Sequence, residues 1–304
     1  MSEMSDASGL AVVKWGYFQS TPGRQSAGNQ DMGAIMDKLG FIGAGKMATA
    51  IAKGLADRQV WPRTAMLAAD VAPAARAAFT AATGGVSCAE SAVEAAKAAD
   101  LVLLAVKPQT APEVVPLIAP YCRGKLVISI AAGLTLKRLA GWFGHDRIIR
   151  VMPNTPLMVG KGATVFTCGA GATAADRATA TSIFGALGIV FELDETHLDA
   201  VTALSGSGPA YVFEMVAALI EAGVEVGLPR AIAHALTVQT VAGAAAMLEQ
   251  GLGTPDELRN AVTSPGGTTA AGLAVLAKAE FRTLKREVIR AAHARSIELG
   301  RAAG

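Results

Sequence analysis

The chain has 304 residues, of which 52% are hydrophobic, 17% charged and 5% aromatic, with 27 Lys and Arg against 25 Asp and Glu. This composition excludes a disordered chain, a collagen-like repeat and a disulfide scaffold, and the length suits about two domains. A formal charge of +2 is spread along the chain with no basic run interleaved with aromatics, so no nucleic-acid partner is expected.

Cys88, Cys122 and Cys168 lie far apart and form no CxxC pair, the pattern of reduced thiols in a cytoplasmic chain, and zinc is not expected. Mean hydropathy is +0.39. Even so, the apolar run 126–136 is too short to span a bilayer, and 231–248 carries His234, Thr237, Gln239 and Thr240. Both read as buried elements, with no membrane partner.

In chain order, residues 1–35 show no sustained periodicity and no signal-peptide pattern; they are expected to be a disordered extension, or to precede a biological start near Met36. From residue 38, short apolar runs alternate with Ala-rich helical stretches. Strands are expected at 38–42, 65–69, 101–106, 126–130 and 148–152, with helices at 47–58 and 72–82 following the first two. Runs at 163–167 and 189–193 flank a further helix and complete the sheet. The expectation is an α/β fold with a Rossmann-type, doubly wound parallel sheet over 36–194. After about Glu195 the strand signals stop. Ser207 and Pro209 open a helix that Gly227 ends; Pro229 opens another that runs to about Gln250. Thr254, Pro255 and Glu257 form a capping-box start, and helices follow at 269–279 and 282–299. Residues 195–304 therefore read as all-helical. The helix 231–248 is apolar almost all round, and a dimer interface would cover its second side.

The strongest chemical signal is Gly43-Ala44-Gly45-Lys46-Met47-Ala48, a GxGxxA sequence directly after a strand and opening a helix. Glycines there allow a tight turn and close approach of backbone to a pyrophosphate, whose charge sits on the helix N-terminus. Asp70 ends the second strand about 20 residues on, where a carboxylate accepts hydrogen bonds from the adenosine ribose and repels a 2′-phosphate, favouring NADH. Arg76 is the nearby candidate for a phosphate contact. Lys107-Pro108-Gln109 ends another strand at the ligand-binding edge, and the residues alone leave open whether Lys107 faces a cofactor or solvent. The turn Arg150 to Pro156 carries two prolines and reads as structural rigidity.

Ser264-Pro265-Gly266-Gly267-Thr268-Thr269 joins two helices, and its backbone N–H groups can converge on a carboxylate without an arginine; an ordinary turn is the alternative. No ligand-spaced histidines and no GxSxG are present, and Asp194, Glu195 and Asp199 read as a solvated interdomain face. Hydride transfer requires neither a metal nor a nucleophile triad, because the cofactor carries the reactive chemistry.

These segments together resemble the pyrroline-5-carboxylate reductase family from about residue 36 to 295. The resemblance rests on 41–51 (FIGAGKMATAI), 104–109 (LAVKPQ), 129–134 (SIAAGL), 150–156 (RVMPNTP), 204–213 (LSGSGPAYVF), 227–230 (GLPR) and 262–269 (VTSPGGTT). It implies NAD(P)H-dependent reduction of 1-pyrroline-5-carboxylate to L-proline, the last step of proline biosynthesis, by a homodimer or higher homo-oligomer. Its helical C-terminal domain would complete each active site. Carried over, the resemblance implies that Gly43, Ala44, Gly45, Lys46 and Met47 hold the pyrophosphate, that Asp70 meets the ribose, and that Val106, Lys107, Pro108, Ala131 and Ala132 line the cofactor. Ser264, Gly266, Gly267, Thr268 and Thr269 would bind the substrate carboxylate, with the Thr269 hydroxyl reaching the ring nitrogen as the catalytic group. Family members often carry Asn at Lys46 and a small polar residue at Asp70. The competing readings are another cyclic-imine or 3-hydroxyacid reductase of the same plan, against which the absence of lysine from 207–227 counts, and a non-catalytic dinucleotide-sensing dimer.

Overall fold

The computed structural model describes residues 38–302, so the expected extension at 1–35 lies outside the described residues. Strand β1 (Leu39–Ile42) leads through the Gly43–Gly45 turn into α1 (Lys46–Asp57). Then come β2 (Met66–Ala69), α2 (Pro73–Ala82), β3 (Ser87–Ala89), α3 (Ala92–Ala98), β4 (Leu101–Leu104), α4 (Ala111–Cys122), β5 (Leu126–Ser129), α5 (Leu136–Phe143) and β6 (Ile148–Met152). The short strand β3 was not anticipated, because three residues with only Ala89 buried carry no periodic signal. A 3-10 turn (Thr155–Val159) leads to β7 (Gly162–Cys168), α6 (Ala174–Gly185) and β8 (Gly188–Glu192).

Eight strands form one sheet in the order β3-β2-β1-β4-β5-β6-β7-β8. The expectation of a wholly parallel sheet is corrected at one place: β7 runs antiparallel to β6, with Arg150 opposite Thr167 and Val151 opposite Phe166. The segment between them holds only a 3-10 turn, too short for the crossover that a parallel pair needs, so the chain must reverse. Between β7 and β8 stands α6, and that pair is parallel. Helices cover both faces of the sheet, which explains why its central strands are apolar throughout: β1, β4 and β5 are buried at every position. Phe41, Leu103, Ile128 and Ile149 pack on one face with Ile51, Leu55 and Phe79; Val102, Leu104 and Val127 pack on the other with Val115, Ile118 and Leu139. At the start of α6 a Thr173–Asp176 capping box holds, and Asp176 is also gripped by Arg147 through two contacts of 2.9 and 2.8 Å. Burial acts most strongly on Asp176 and raises its pKa, but the Arg147 and Thr173 contacts outweigh it and hold the carboxyl at about 2.

Beyond β8 the chain is helical: α7 (Leu198–Val201), a π turn (Thr202–Gly206), α8 (Gly208–Glu225), α9 (Arg230–Glu249), α10 (Pro255–Ala261), α11 (Thr268–Lys278) and α12 (Phe281–Ala302). Thr254 and Glu257 make the expected capping box. Ser207 stands at the start of α8, but its hydroxyl makes no capping bond. Ile220 is the buried residue of α8 and Ala233 that of α9, while Phe213, Leu219, Leu236, Val238 and Val275 are exposed. Among the described residues, Glu195–Glu225 and Arg230–Glu249 are long and apolar enough to cross a membrane. Such a surface lacks a cover within one chain.

Candidate functional site

The site is built on the carboxyl ends of β1, β2 and β4. Gly43 has φ +104°, and a Cβ there would stand 2.8 Å from the Ala105 carbonyl oxygen and 3.0 Å from the Val106 nitrogen, so only glycine lets the turn pass so close to β4. Its N–H donates to the Ala69 carbonyl at 2.8 Å, stitching the turn to β2. Gly45 differs: a Cβ added there would meet nothing within 4 Å. Gly45 is the N-cap of α1, makes no side-chain cap and is followed by no acid in the first turn. The free N–H groups and the helix dipole are therefore left to an anion outside the chain. Lys46, the first residue of α1, is exposed beside them.

Asp70 stands where expected, at the end of β2, and its two oxygens take backbone N–H groups from both sides: Ala44 at 3.0 Å and Ala72 at 2.9 Å. It thus ties the glycine turn to the β2–α2 loop as well as facing the cavity. Arg76 turns inward, its Nη1 donating to the Asp70 carbonyl at 2.6 Å. A cavity of about 420 Å³ is lined by Gly43, Gly45, Asp70, Val71, Val106 and Lys107, bringing five of the expected cofactor residues together. Val71 is 92% exposed at its lip, an apolar surface suited to a flat base. The uncapped helix, the open space at Gly45 and this cavity fit a dinucleotide. Ala44 and Lys46 face a neighbouring groove between α1 and α2, Met47 packs against the sheet core, and Ala131 is buried.

Pro108 and Ala132 line a second cavity, of about 560 Å³, between the ends of β4 and β5 and the helical region. Its other walls include Gln109 and Ser207, which the sequence marked as a strand end and a helix start, and Thr202, Arg295 and Ser296, which it did not single out. The motif at 204–213 pointed to the neighbourhood of Ser207, but nothing local marks the residues of α12. Two acidic residues expected to be solvated are in fact engaged. Glu195 Oε1 accepts from Arg150 Nη1 and from the Leu136 N–H, both at 2.8 Å, and Asp199 accepts from the Ser296 hydroxyl at 2.6 Å. Their partners lie 45, 59 and 97 residues away, beyond the reach of local pattern. These three bonds tie helical elements to the sheet edge or to one another, and the loop that carries Ala131 and Ala132 is anchored at its far end through Leu136.

The glycine loop at 264–269 stands apart from these cavities. Gly266 has φ +70°, Gly267 donates to the Ser264 carbonyl at 3.1 Å, and a Cβ on Gly267 would meet the Ser264 hydroxyl. Gly267 is the N-cap of α11, with no side-chain cap and no acid in the first turn, so the N–H groups of Thr268 and Thr269 begin a helix free to receive a carboxylate. Ser264 and Gly266 are exposed and Thr269 half-buried.

Residues 195–299 match the family profile for pyrroline-5-carboxylate reductase dimerisation, and 38–133 match that for coenzyme F420-dependent NADP oxidoreductase. The chain is 44% identical to pyrroline-5-carboxylate reductase of Pisum sativum over 86% of this chain and 95% of that one. With the Synechocystis enzyme of the same name it shares 43% over 87% and 98%. The structure of Plasmodium falciparum pyrroline carboxylate reductase with NADP bound superimposes with a TM-score of 0.79 at 33% identity, covering 87% of this chain and 98% of that one. The chain belongs to the pyrroline-5-carboxylate reductase family.

Proposed function

We infer that the protein reduces 1-pyrroline-5-carboxylate to L-proline with NADH as the preferred cofactor, working as a cytoplasmic homodimer. The single observation that carries the reading is the pairing of an uncapped dinucleotide turn at Gly43–Lys46 with a second uncapped helix start at Gly267–Thr269 in one family-matched chain. The domain boundaries that go with it are 36–194 for the nucleotide domain and 195–304 for the helical domain.

When bound, the reduced nicotinamide supplies the hydride that turns the C=N carbon of the substrate into the C–N carbon of proline. The chain's own residues supply the rest. The turn Gly43 to Met47 holds the pyrophosphate, Gly43 and Ala44 by letting the backbone pass close and Gly45, Lys46 and Met47 through their N–H groups, and Asp70 meets the adenosine ribose, where its charge opposes a 2′-phosphate. Val106, Lys107, Pro108, Ala131 and Ala132 flank the cofactor and keep water from it. Ser264, Gly266, Gly267, Thr268 and Thr269 hold the substrate carboxylate through N–H groups at the start of α11, and the Thr269 hydroxyl hydrogen-bonds the ring nitrogen. A hydroxyl is too weak an acid to protonate that nitrogen at neutral pH, so Thr269 orients it while the proton comes from solvent or arrives on the substrate. The loop at 264–269 belongs to an exposed helical layer, and a second copy that covers this layer brings the loop to the nucleotide domain across the interface. The cytoplasmic placement rests on three free cysteines. Of these, Cys122 is pushed up to about 11 by burial and Cys168 to about 12 by burial and then Glu192, poor starting points for oxidation.

The test is the initial rate of NADH and NADPH oxidation with 1-pyrroline-5-carboxylate, at matched cofactor concentrations, for the unsubstituted enzyme and for Thr269→Ala. The unsubstituted enzyme should turn over faster with NADH; a strong NADPH preference would overturn the role of Asp70. Thr269→Ala should lower kcat about tenfold, the loss of one directional hydrogen bond in the transition state, with NADH affinity unchanged. Unchanged kinetics would remove Thr269 from the mechanism, and no oxidation with either cofactor would overturn the reductase reading.

A further inference from the structure

The turn that follows β6 carries a buried amide with no role in the reading above. Asn154 is 7% exposed and makes two bonds: its Oδ1 accepts from the Ala163 N–H at 2.9 Å, and its Nδ2 donates to the Ser205 carbonyl at 3.0 Å. The second bond has a reason in the sequence. In an α-helix the Ser205 carbonyl would accept from the N–H four residues on, but that residue is Pro209, which has none. The backbone there leaves α geometry, the Ser207 N–H reaching back five residues to the Thr202 carbonyl at 2.8 Å in a π turn. Asn154 thus supplies, from 51 residues away, the donor that proline withholds. The amide meets both demands at once with two separate atoms, one end accepting and the other donating.

The π turn so held is a wall between two cavities. Thr202 and Ser207 face the cavity of about 560 Å³ shared with Pro108, Gln109, Ala132 and Gly133, whereas Leu204 and Ser205 face another, of about 510 Å³, that Asn154 itself lines. We propose that Asn154 is a positioning residue for the reaction: by holding the Ser205 carbonyl it sets the π turn, and through it the Thr202 and Ser207 side of the pocket where nicotinamide and imine meet. This rests on the reductase reading, because only there do Pro108 and Ala132 flank the nicotinamide.

The experiment compares the full-length unsubstituted enzyme, Asn154→Ser, and Asn154→Ser combined with Pro209→Ala. For each, kcat, the KM for 1-pyrroline-5-carboxylate, the Kd for NADH by fluorescence and the melting temperature are measured. Asn154→Ser should lose about tenfold or more in kcat with the NADH Kd within about twofold, because the pyrophosphate turn is untouched. Adding Pro209→Ala returns an N–H to the Ser205 carbonyl from within the helix; the melting temperature should recover while kcat stays low, because the turn then winds as α rather than π. A role limited to stability predicts instead that kcat and melting temperature recover together, and that result would overturn the proposal. So would wild-type kcat in Asn154→Ser, a rise in NADH Kd that matches the loss of kcat, or a double variant that remains unstable. Absence of turnover in the unsubstituted enzyme would fell the reductase reading itself, a distinct outcome from any of these.

Discussion

The sheet half and the helical half of this chain solve burial in opposite ways. Around β1, β4 and β5 every strand position is covered from both faces by helices of the same chain. In α8 and α9, by contrast, Ile220 and Ala233 are the buried residues, and large apolar side chains such as Leu219 and Leu236 face outward. The first half covers its central strands by itself, whereas the second leaves an apolar face that the proposed second copy would cover. Cofactor affinity should therefore belong to one half alone, and turnover to the pair.

The largest effect is expected from Gly43→Ala. With φ at +104° and an added methyl carbon only 2.8 Å from the Ala105 carbonyl oxygen, the position has no room for a side chain, so the turn must shift. NADH affinity should fall more than about 100-fold by fluorescence titration, with sedimentation still showing the dimer. A close second, on the other side of the comparison, is Leu219→Asp with Leu236→Asp. Two carboxylates placed in an apolar interface should dissociate the dimer in sedimentation and cut turnover at least about tenfold, while NADH affinity stays within about twofold. If turnover survived in monomers, the helical layer would have no part in the active site.

Smaller effects test each half on its own. Asp176→Asn removes a carboxylate that Arg147 and Thr173 hold at about 2 against an unfolded value near 3.8. A depressed pKa contributes stability that is complete above the unfolded value and is lost as pH falls through the folded one. The variant should thus be about 2 kcal/mol less stable in urea at pH 7, and the gap should narrow between about pH 4 and pH 2. The smallest effect is expected from Glu280→Gly, between α11 and α12, where a non-glycine residue stands at φ +49°. Relief of that conformation should stabilise the protein by up to about 1 kcal/mol in the same urea titration, with turnover unchanged.

Much of the sheet half was legible because its signals are local. The GAGKM turn, the strand ends at Asp70 and Lys107, and the two prolines after β6 each announce themselves within a few residues, through positive φ, missing N–H groups or an apolar run that stops. The capping box at Thr254 and Glu257 was legible for the same reason. β3 was not, being three residues with one buried side chain. Glu195 and Asp199 looked like surface carboxylates because nothing near them in the chain says that Arg150 or Ser296 will be their partner. The pocket walls on α12 stayed hidden for the same reason.

What the sequence determined by itself was the alternation of strands and helices, the dinucleotide turn, the glycine loop before α11 and, through ordered motifs, the family. These follow from dihedral freedom, hydrogen-bonding capacity and hydrophobic period over short stretches, all properties of neighbours. Only the tertiary structure decided that β7 reverses, that Asp70 braces the glycine turn as well as facing the cavity, and that the proline-orphaned carbonyl of Ser205 finds its donor in Asn154. Such contacts depend on which segments the packed core brings side by side, and a buried polar group takes its partner from whatever the fold places there.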